Sequence, residues 1–278
     1  MGETLNSKSK EYVHAGKPEE VARLEAQAKA LNQILEKEFG ILGLKPGMNV
    51  LDAGCGTGAV TRKLAVKVSP GKAYGIDIDA LFIDEARKLA TNENIHNISF
   101  SLGDIDNLKF DDGTYDVSYC RLVLMHVKNP VKTVIELKRV TKRGGIVAVS
   151  DSDDGGVIAY PEMPKIMDMY SKYGQWAKMR GEDRYIGRQL FSIFSQAGLS
   201  PIGIYPFPNY ATQQNPEMLK TLVSVPVQIA ELGKETLIRQ GLLTTEEYAE
   251  AMKEVQRLLG HTGAFAMDLC FLAVGQVP

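Results

Sequence analysis

The sequence predicts an α/β fold in which a mostly parallel sheet carries helices on both faces, and three observations support this. Between residues 40 and 150, short apolar runs alternate with longer stretches at helical spacing. Successive runs end in an acidic residue at or just past the strand tip. One of them, Val50-Leu51-Asp52-Ala53-Gly54-Cys55-Gly56-Thr57-Gly58, empties into a turn with glycine at three alternate positions. A buried parallel strand that opens into such a turn lets backbone approach a nucleotide-like ligand, because no Cβ holds it away.

The elements follow in order. Val21, Leu24, Ala28, Leu31 and Leu35 recur at helical spacing and predict one amphipathic helix over residues 19–39. Leu44-Lys45-Pro46-Gly47 breaks it before the first strand, which Met48 precedes and which ends at the glycine turn. A helix is expected over 58–67. Residues 73–78, Ala-Tyr-Gly-Ile-Asp-Ile, read as a second strand ending at Asp77, followed by a helix over 80–91. Ile98 to Leu102 reads as a third strand, with Asp104 and Ile105 just beyond it, and Tyr115 to Arg121 as a fourth. Asn129-Pro130 opens a helix over 130–141 with proline in its first turn. Gly144-Gly145 leads the fifth strand, and Ile202–Phe207 and Phe265–Val274 read as two late strands.

Two stretches fall outside this alternation. Residues 152–184 continue from Ser-Asp-Asp-Gly-Gly into a segment rich in Met and Tyr, with Met163, Met167, Met169, Tyr170, Tyr173, Trp176 and Met179. Residues 208–262 hold two expected helices, 216–240 and 244–259, the second opened by a capping box at Thr244-Thr-Glu-Glu247. The chain is therefore divided into an N-terminal helical cap (1–39), a core (40–151), a cap insertion (152–184) and a C-terminal part of the core (185–278) interrupted by the insertion 208–262. Insertions after a fifth strand and between the last two strands rise above the strand ends where such sheets bind ligands, so they are read as a substrate cap. A Met and aromatic stripe at helical spacing reads equally as plain core.

Composition excludes several classes of function. A net charge of −2, from 32 basic and 34 acidic residues interleaved along the chain, gives no electrostatic footprint for nucleic acid. The basic pairs Lys138-Arg139 and Lys142-Arg143 fall at a helix end, where they complement its dipole and solvate it. No apolar run reaches the roughly 18 residues that a membrane span needs, and the polar start shows no secretory leader. Three cysteines without C-x-x-C spacing frame neither disulfides nor a zinc site, and no metal site is expected. Reduced thiols of a cytoplasmic protein are the simple reading.

The acids decide what the glycine turn receives. A carboxylate at Asp52 would repel a pyrophosphate and attract an amino group or a sugar hydroxyl. With Asp77 and Asp104 at the tips of the next two strands, the chain resembles the class I S-adenosylmethionine (SAM) dependent methyltransferases, in their small-molecule, quinone-biosynthesis-like branch. Val50 to Gly58 matches their first motif, Gly75-Ile-Asp77-Ile-Asp79 the ribose motif, and Gly103-Asp104-Ile105 with the Phe110 to Asp116 stretch the third. The likeness covers residues 40–150.

The resemblance implies a Rossmann-like, doubly wound sheet of seven strands, mostly parallel with an antiparallel last strand. It implies SAM as cofactor, S-adenosylhomocysteine as product and a small, partly apolar methyl acceptor whose reacting atom stays open. Gly54, Gly56 and Gly58 would give backbone access to the methionine part of SAM, with Asp52 near its amino group. Asp77 would take both ribose hydroxyls, Ile78 would pack on the adenine, and Asp104 would accept from its amino group, with the Ile105 backbone on the ring. Cys120 or Arg121 would lie near the methionyl chain, and Tyr12 and Gln27 would close over the cofactor. His126 in Leu122-Val-Leu-Met-His-Val127 follows the fourth strand, where it is a candidate base or a packing residue of the loop. Tyr170 is a further catalytic candidate, for orienting an acceptor. Two other readings remain open from the residues alone. Gly54-x-Gly56-x-x-Ala59 also fits a nicotinamide dinucleotide fingerprint, and a SAM site can serve non-methylating or non-catalytic roles.

Overall fold

The structure, a computed structural model, describes residues 18–278. Helices α1 (Pro18–Ala30) and α2 (Asn32–Leu42) lead into strand β1 (Asn49–Ala53). Then come α3 (Ala59–Val68), β2 (Lys72–Asp77), α4 (Ala80–Asn92), β3 (Ile98–Leu102), β4 (Tyr115–Arg121), α5 (Pro130–Val140) and β5 (Thr141–Ser152). After them follow β6 (Ile158–Tyr160), α6 (Pro164–Met179), α7 (Leu190–Gln196), β7 (Ile202–Thr212), α8 (Pro216–Arg239), α9 (Thr245–Leu259) and β8 (Phe265–Gln276).

The strands form one sheet in the order β3-β2-β1-β4-β5-β8-β6, with β7 also paired to β8. β1 to β5 are parallel. β8 runs against β5, because Gly144 and Gly145 at the start of β5 exchange backbone bonds with Val277 past the end of β8. β7 also opposes β8, with Ser200 bonded to Gln276 at one end and Gln213 to Ala264 at the other. The order of the parallel strands reverses between β1 and β4. In doubly wound sheets that reversal opens a crevice at the carboxyl ends of the strands.

The expected α/β class and antiparallel last strand hold, with one addition. An eighth strand, β6, pairs antiparallel to β8 through Ile158↔Met267, Ala159↔Ala266 and Tyr160↔Phe265. Three residues are too few to show strand alternation in a sequence. The single helix expected over 19–39 is two, broken at Leu31, across which the apolar spacing continues unaltered.

The chain divides into two compact units, one from the chain up to Asp151 with Arg188–Tyr205 and Phe271–Pro278, the other from Ser152–Gly187 with Pro206–Cys270. In the first, Val50, Leu51, Ala53, Val117, Tyr119, Val147, Ala148 and Val149 are all buried. Strands covered on both faces read as continuous apolar runs rather than alternating ones. Of the two basic pairs, Lys138 and Arg139 fall in the last turn of α5 as expected and, with Lys142, also anchor neighbouring segments, while Arg143 is exposed. Arg139 donates to the carbonyls of Leu108 and Phe110 at 2.9 Å each and pairs with Asp112 at 2.6 Å. Lys138 donates to the carbonyls of Ala197 and Gly198 past α7, and Lys142 pairs with Asp116.

In the second unit α6, α8 and α9 pack on one another. Ile166, Met169, Tyr173 and Trp176 form the buried face of α6, while Met179 is exposed. Most of the Met and aromatic stripe is therefore core. Glu254 of α9 accepts the Lys165 and Ile166 amides at the start of α6, at 2.7 and 3.1 Å, where a carboxylate complements the helix dipole. The capping box opening α9 is present, with Thr244 and Glu247 bonded reciprocally.

Candidate active site

The parallel strands bring their carboxyl ends to one edge, and the first unit's candidate residues gather there. The glycine turn is stitched to the end of β2: the Gly54 and Cys55 amides donate to the Ile76 carbonyl at 2.8 and 2.9 Å. The Gly56 amide donates to Asp77 Oδ2 at 2.8 Å, and the Asp79 amide to Asp77 Oδ1 at 3.0 Å. Burial raises the Asp77 pKa above the usual carboxylate range, partly offset by these backbone donors. The Asp79 carboxylate caps α4 by accepting from the Leu81 amide at 2.8 Å.

The turn's glycines serve different ends. A Cβ on Gly58, where φ is +75°, would sit 2.6 Å from the Phe100 ring, and one on Gly54 would sit 2.5 Å from Val123. Their missing side chains leave room for the protein's own packing. Among the described residues, only Leu24 Cδ1, at 3.4 Å, comes near a Cβ placed on Gly56, where φ is +52°, so this is the turn position that leaves a ligand room to approach backbone.

Asp52, the penultimate residue of β1, has only 2% of its surface exposed and accepts from Thr61 Oγ1 of α3 at 2.5 Å. Burial, with Asp77 nearby, pushes its pKa up to about 7 against the opposing influence of Thr61 and the Arg121 guanidinium. Asp104 lies partly exposed past β3 and accepts from the Asp106 amide at 3.0 Å, with Ile105 partly exposed beside it and Ile78 likewise past β2. Cys120 is fully buried, and burial pushes its thiol well above the ordinary range. Arg121, at the tip of β4, pairs through Nε with Glu38 at 3.3 Å, and its side chain is 6% exposed.

Three residues here escaped the sequence reading. Glu38 of α2 is fully buried and accepts from Tyr119 Oη and Ser150 Oγ at 2.5 Å each, as well as from Arg121. Its signal is an acid four residues beyond Ile34 on the apolar face of its helix. Thr61 carries the same signal, a polar residue in the buried row with Leu64, Ala65 and Val68. Glu25 of α1 accepts from Thr57 Oγ1 at 2.6 Å and pairs with Arg62 at 2.7 Å, and Arg62 also donates to the Thr57 carbonyl at 2.9 Å. These bonds latch α1 to the glycine turn, and nothing in the local pattern announces them.

His126 closes a single 3-10 turn over Leu124–His126 after β4, its amide on the Val123 carbonyl at 2.9 Å. The preceding amide, of Met125, donates to Asp151 at 3.3 Å. Gln27 lies partly buried on α1, and Tyr12 is outside the described residues. Tyr170 belongs to the second unit, where burial and the charge of Asp154 push its phenol well above the ordinary range. In that unit Arg184 grips Asp154 through two bonds of 2.9 and 3.0 Å. Among the described residues, no group of three or more His, Cys, Asp or Glu stands together to hold a metal ion, and no helix is long and apolar enough to cross a membrane.

A family model described as a methyltransferase domain matches residues 44–198, from just before β1 to just past α7. The chain belongs to the methyltransferase domain family. Membership in that family sets aside the nicotinamide reading of the glycine turn. The methyltransferase domain is 39% identical over 119 residues to an uncharacterized methyltransferase of Schizosaccharomyces pombe, covering 41% of this chain and 43% of that one. It is 31% identical over 131 residues to a ubiquinone/menaquinone biosynthesis C-methyltransferase of Hydrogenovibrio crunogenus, covering 46% of this chain and 50% of that one. The crystal structure of a SAM-dependent methyltransferase from Aquifex aeolicus has the same fold, with a TM-score of 0.53 and 23% identity over 67% of this chain and 90% of that one. The chain spans about half or less of the length of the first curated relatives it matches.

Proposed function

We propose that this protein is a SAM-dependent methyltransferase acting on a small, partly apolar molecule. The observation that carries the reading is the Asp77 carboxylate. Each of its oxygens accepts one backbone amide, from Gly56 and from Asp79. A carboxylate offers about four acceptor sites, so each oxygen keeps capacity for one more donor. Two adjacent hydroxyls of a ribose are the matching partner. The room left at Gly56 among the described residues fits a ligand continuing from that ribose toward the glycine turn.

The remaining roles follow from position. Ile78 offers apolar surface to an adenine and Asp104 an acceptor for its amino group, with the Ile105 backbone on the ring. Backbone at Gly54, Gly56 and Gly58 meets the methionine part of the cofactor, with Asp52 toward its ammonium and Cys120 and Arg121 beside its chain. Tyr12 and Gln27 belong to the N-terminal segment that would close over it. When bound, SAM supplies a methyl group already electrophilic on its sulfonium, so positioning an acceptor about 3 Å away and excluding water provide most of the catalysis. The segments 152–184 and 208–262 serve as the substrate cap in this reading, with Tyr170 orienting the acceptor and His126 taking a proton when the acceptor holds one tightly.

A cytoplasmic enzyme without nucleic-acid partners fits the balanced charge and the three buried free thiols. The test is formation of S-adenosylhomocysteine by the full chain against a panel of small metabolites that includes prenylated quinols. Turnover with any of them supports the reading. SAM binding without product across the panel would leave a SAM-binding module in its place.

A further inference from the structure

We infer that Glu38, on α2 and outside the strand tips, is a positioning residue for the methionine end of the cofactor, acting through Arg121. The inference rests on the SAM reading above and adds a residue that no motif marks. Glu38 is wholly buried and meets three donors at once, the Tyr119 hydroxyl, the Ser150 hydroxyl and the Arg121 guanidinium. Tyr119 and Arg121 alternate on β4, and Ser150 is the β5 residue in register with Arg121. One carboxylate from a helix thus ties together two adjacent strands at their carboxyl ends.

Arg121 also lies close enough to Asp52 to oppose its protonation. The guanidinium is thus bonded to one carboxylate, Glu38 on the helix side, and feels the charge of a second, Asp52 on β1. An amino-acid zwitterion presents an ammonium and a carboxylate, which an acid and a guanidinium held side by side match in sign. Such a pair discriminates only while the two protein charges are kept from satisfying each other completely. Glu38 does that by holding the Arg121 Nε edge at 3.3 Å, which fixes one side of the planar fork from the helix. Without the Glu38 charge, Arg121 turns toward Asp52, and the pair that should receive the zwitterion neutralises itself.

The experiment compares two ligands on the full chain by calorimetric titration: SAM, and 5′-methylthioadenosine, which has the adenosine but not the amino-acid end. Glu38→Gln keeps the shape and most hydrogen bonds while removing the charge. The expected result is a SAM dissociation constant raised about tenfold, an unchanged methylthioadenosine constant, and no further loss when Glu38→Gln is added to Arg121→Gln. Equal weakening of both ligands would make Glu38 a purely structural residue and overturn the inference. Unchanged SAM affinity would do the same, as would an additive loss in the Arg121→Gln background. Should Glu38→Gln not fold, Glu38→Asp reads the same relation, because it keeps the charge but shortens its reach to the Arg121 Nε edge. A SAM-specific loss then supports the inference and unchanged SAM affinity overturns it. A wild-type chain that binds neither ligand would sink the cofactor reading itself, an outcome distinct from all of these.

Discussion

The Gly56 amide donates to the Asp77 carboxylate at 2.8 Å, which makes the glycine turn after β1 and the acid at the end of β2 one structural unit. A ligand held by Asp77 is thereby held against the turn, and a change at Asp77 is felt by both.

Asp77→Ala removes two charge-assisted acceptors of roughly 1.5–3 kcal/mol each. SAM affinity is expected to fall at least about tenfold with a cooperative unfolding transition retained. Calorimetric titration showing unchanged affinity would remove Asp77 from the cofactor site. Asp104→Ala is expected to act more mildly, because the adenine amino group is a neutral donor.

Alanine at two glycines of the turn should separate packing from ligand access. Gly58→Ala combines a positive φ with a Cβ 2.6 Å from Phe100, and it is expected to destabilise by roughly 1–3 kcal/mol. Among the described residues, Gly56→Ala meets only the flexible end of Leu24, so its stability cost is expected to stay near 1 kcal/mol while SAM affinity suffers more. Urea unfolding and titration of both variants check the ordering. A Gly56→Ala protein that binds SAM like the wild type would place the ligand elsewhere.

Asp52 sets a pH dependence whose sign follows from burial. Its folded pKa, about 7, lies above the ordinary carboxylate value of 3.8, so between those values the native state holds the proton more tightly than the unfolded chain. Native stability from this group is full below about pH 3.8 and falls as pH rises toward 7. Asp52→Asn, which cannot ionise, is expected to lose that slope. Urea midpoints of the two proteins should therefore diverge in the variant's favour as pH is raised through this window. Parallel curves would mean that Asp52 is ionised throughout.

His126→Ala is expected to lower turnover by about 10², as loss of a general base does, with SAM affinity intact. Single-turnover formation of S-adenosylhomocysteine with a hydroxyl or amine acceptor measures it. A loss below about fivefold would assign His126 to the loop and leave catalysis to positioning.

The parallel sheet and its acids were legible because the signals are local. Val50 to Gly58 and the strand ending at Asp77 each combine an apolar run with a polar stop, and the structure places both where the pattern implied. What was not legible is carried by contacts between distant segments. Glu38 touches residues of β4 and β5 more than eighty positions away, and its only trace is an acid on an apolar helix face. Arg139 looked like a helix-end charge until the loop carbonyls it holds were in view. The three residues of β6 offered no periodicity, and the break at Leu31 left the apolar spacing intact.

The Phe100 ring occupies space that two glycines vacate, since a Cβ on Gly58 or on Gly75 would come within 2.6 or 2.5 Å of it. Around it Cys55, Ile83, Ala86 and Ala90 complete a small buried cluster. The aromatic therefore behaves as a keystone whose bulk is matched to absent side chains on two other elements. Volume here can be traded only in pairs: a smaller residue at 100 invites a methyl at 75, and either change alone leaves a hole or a collision beneath the turn. Variation at these positions should travel together for reasons of space, whatever molecule the turn receives.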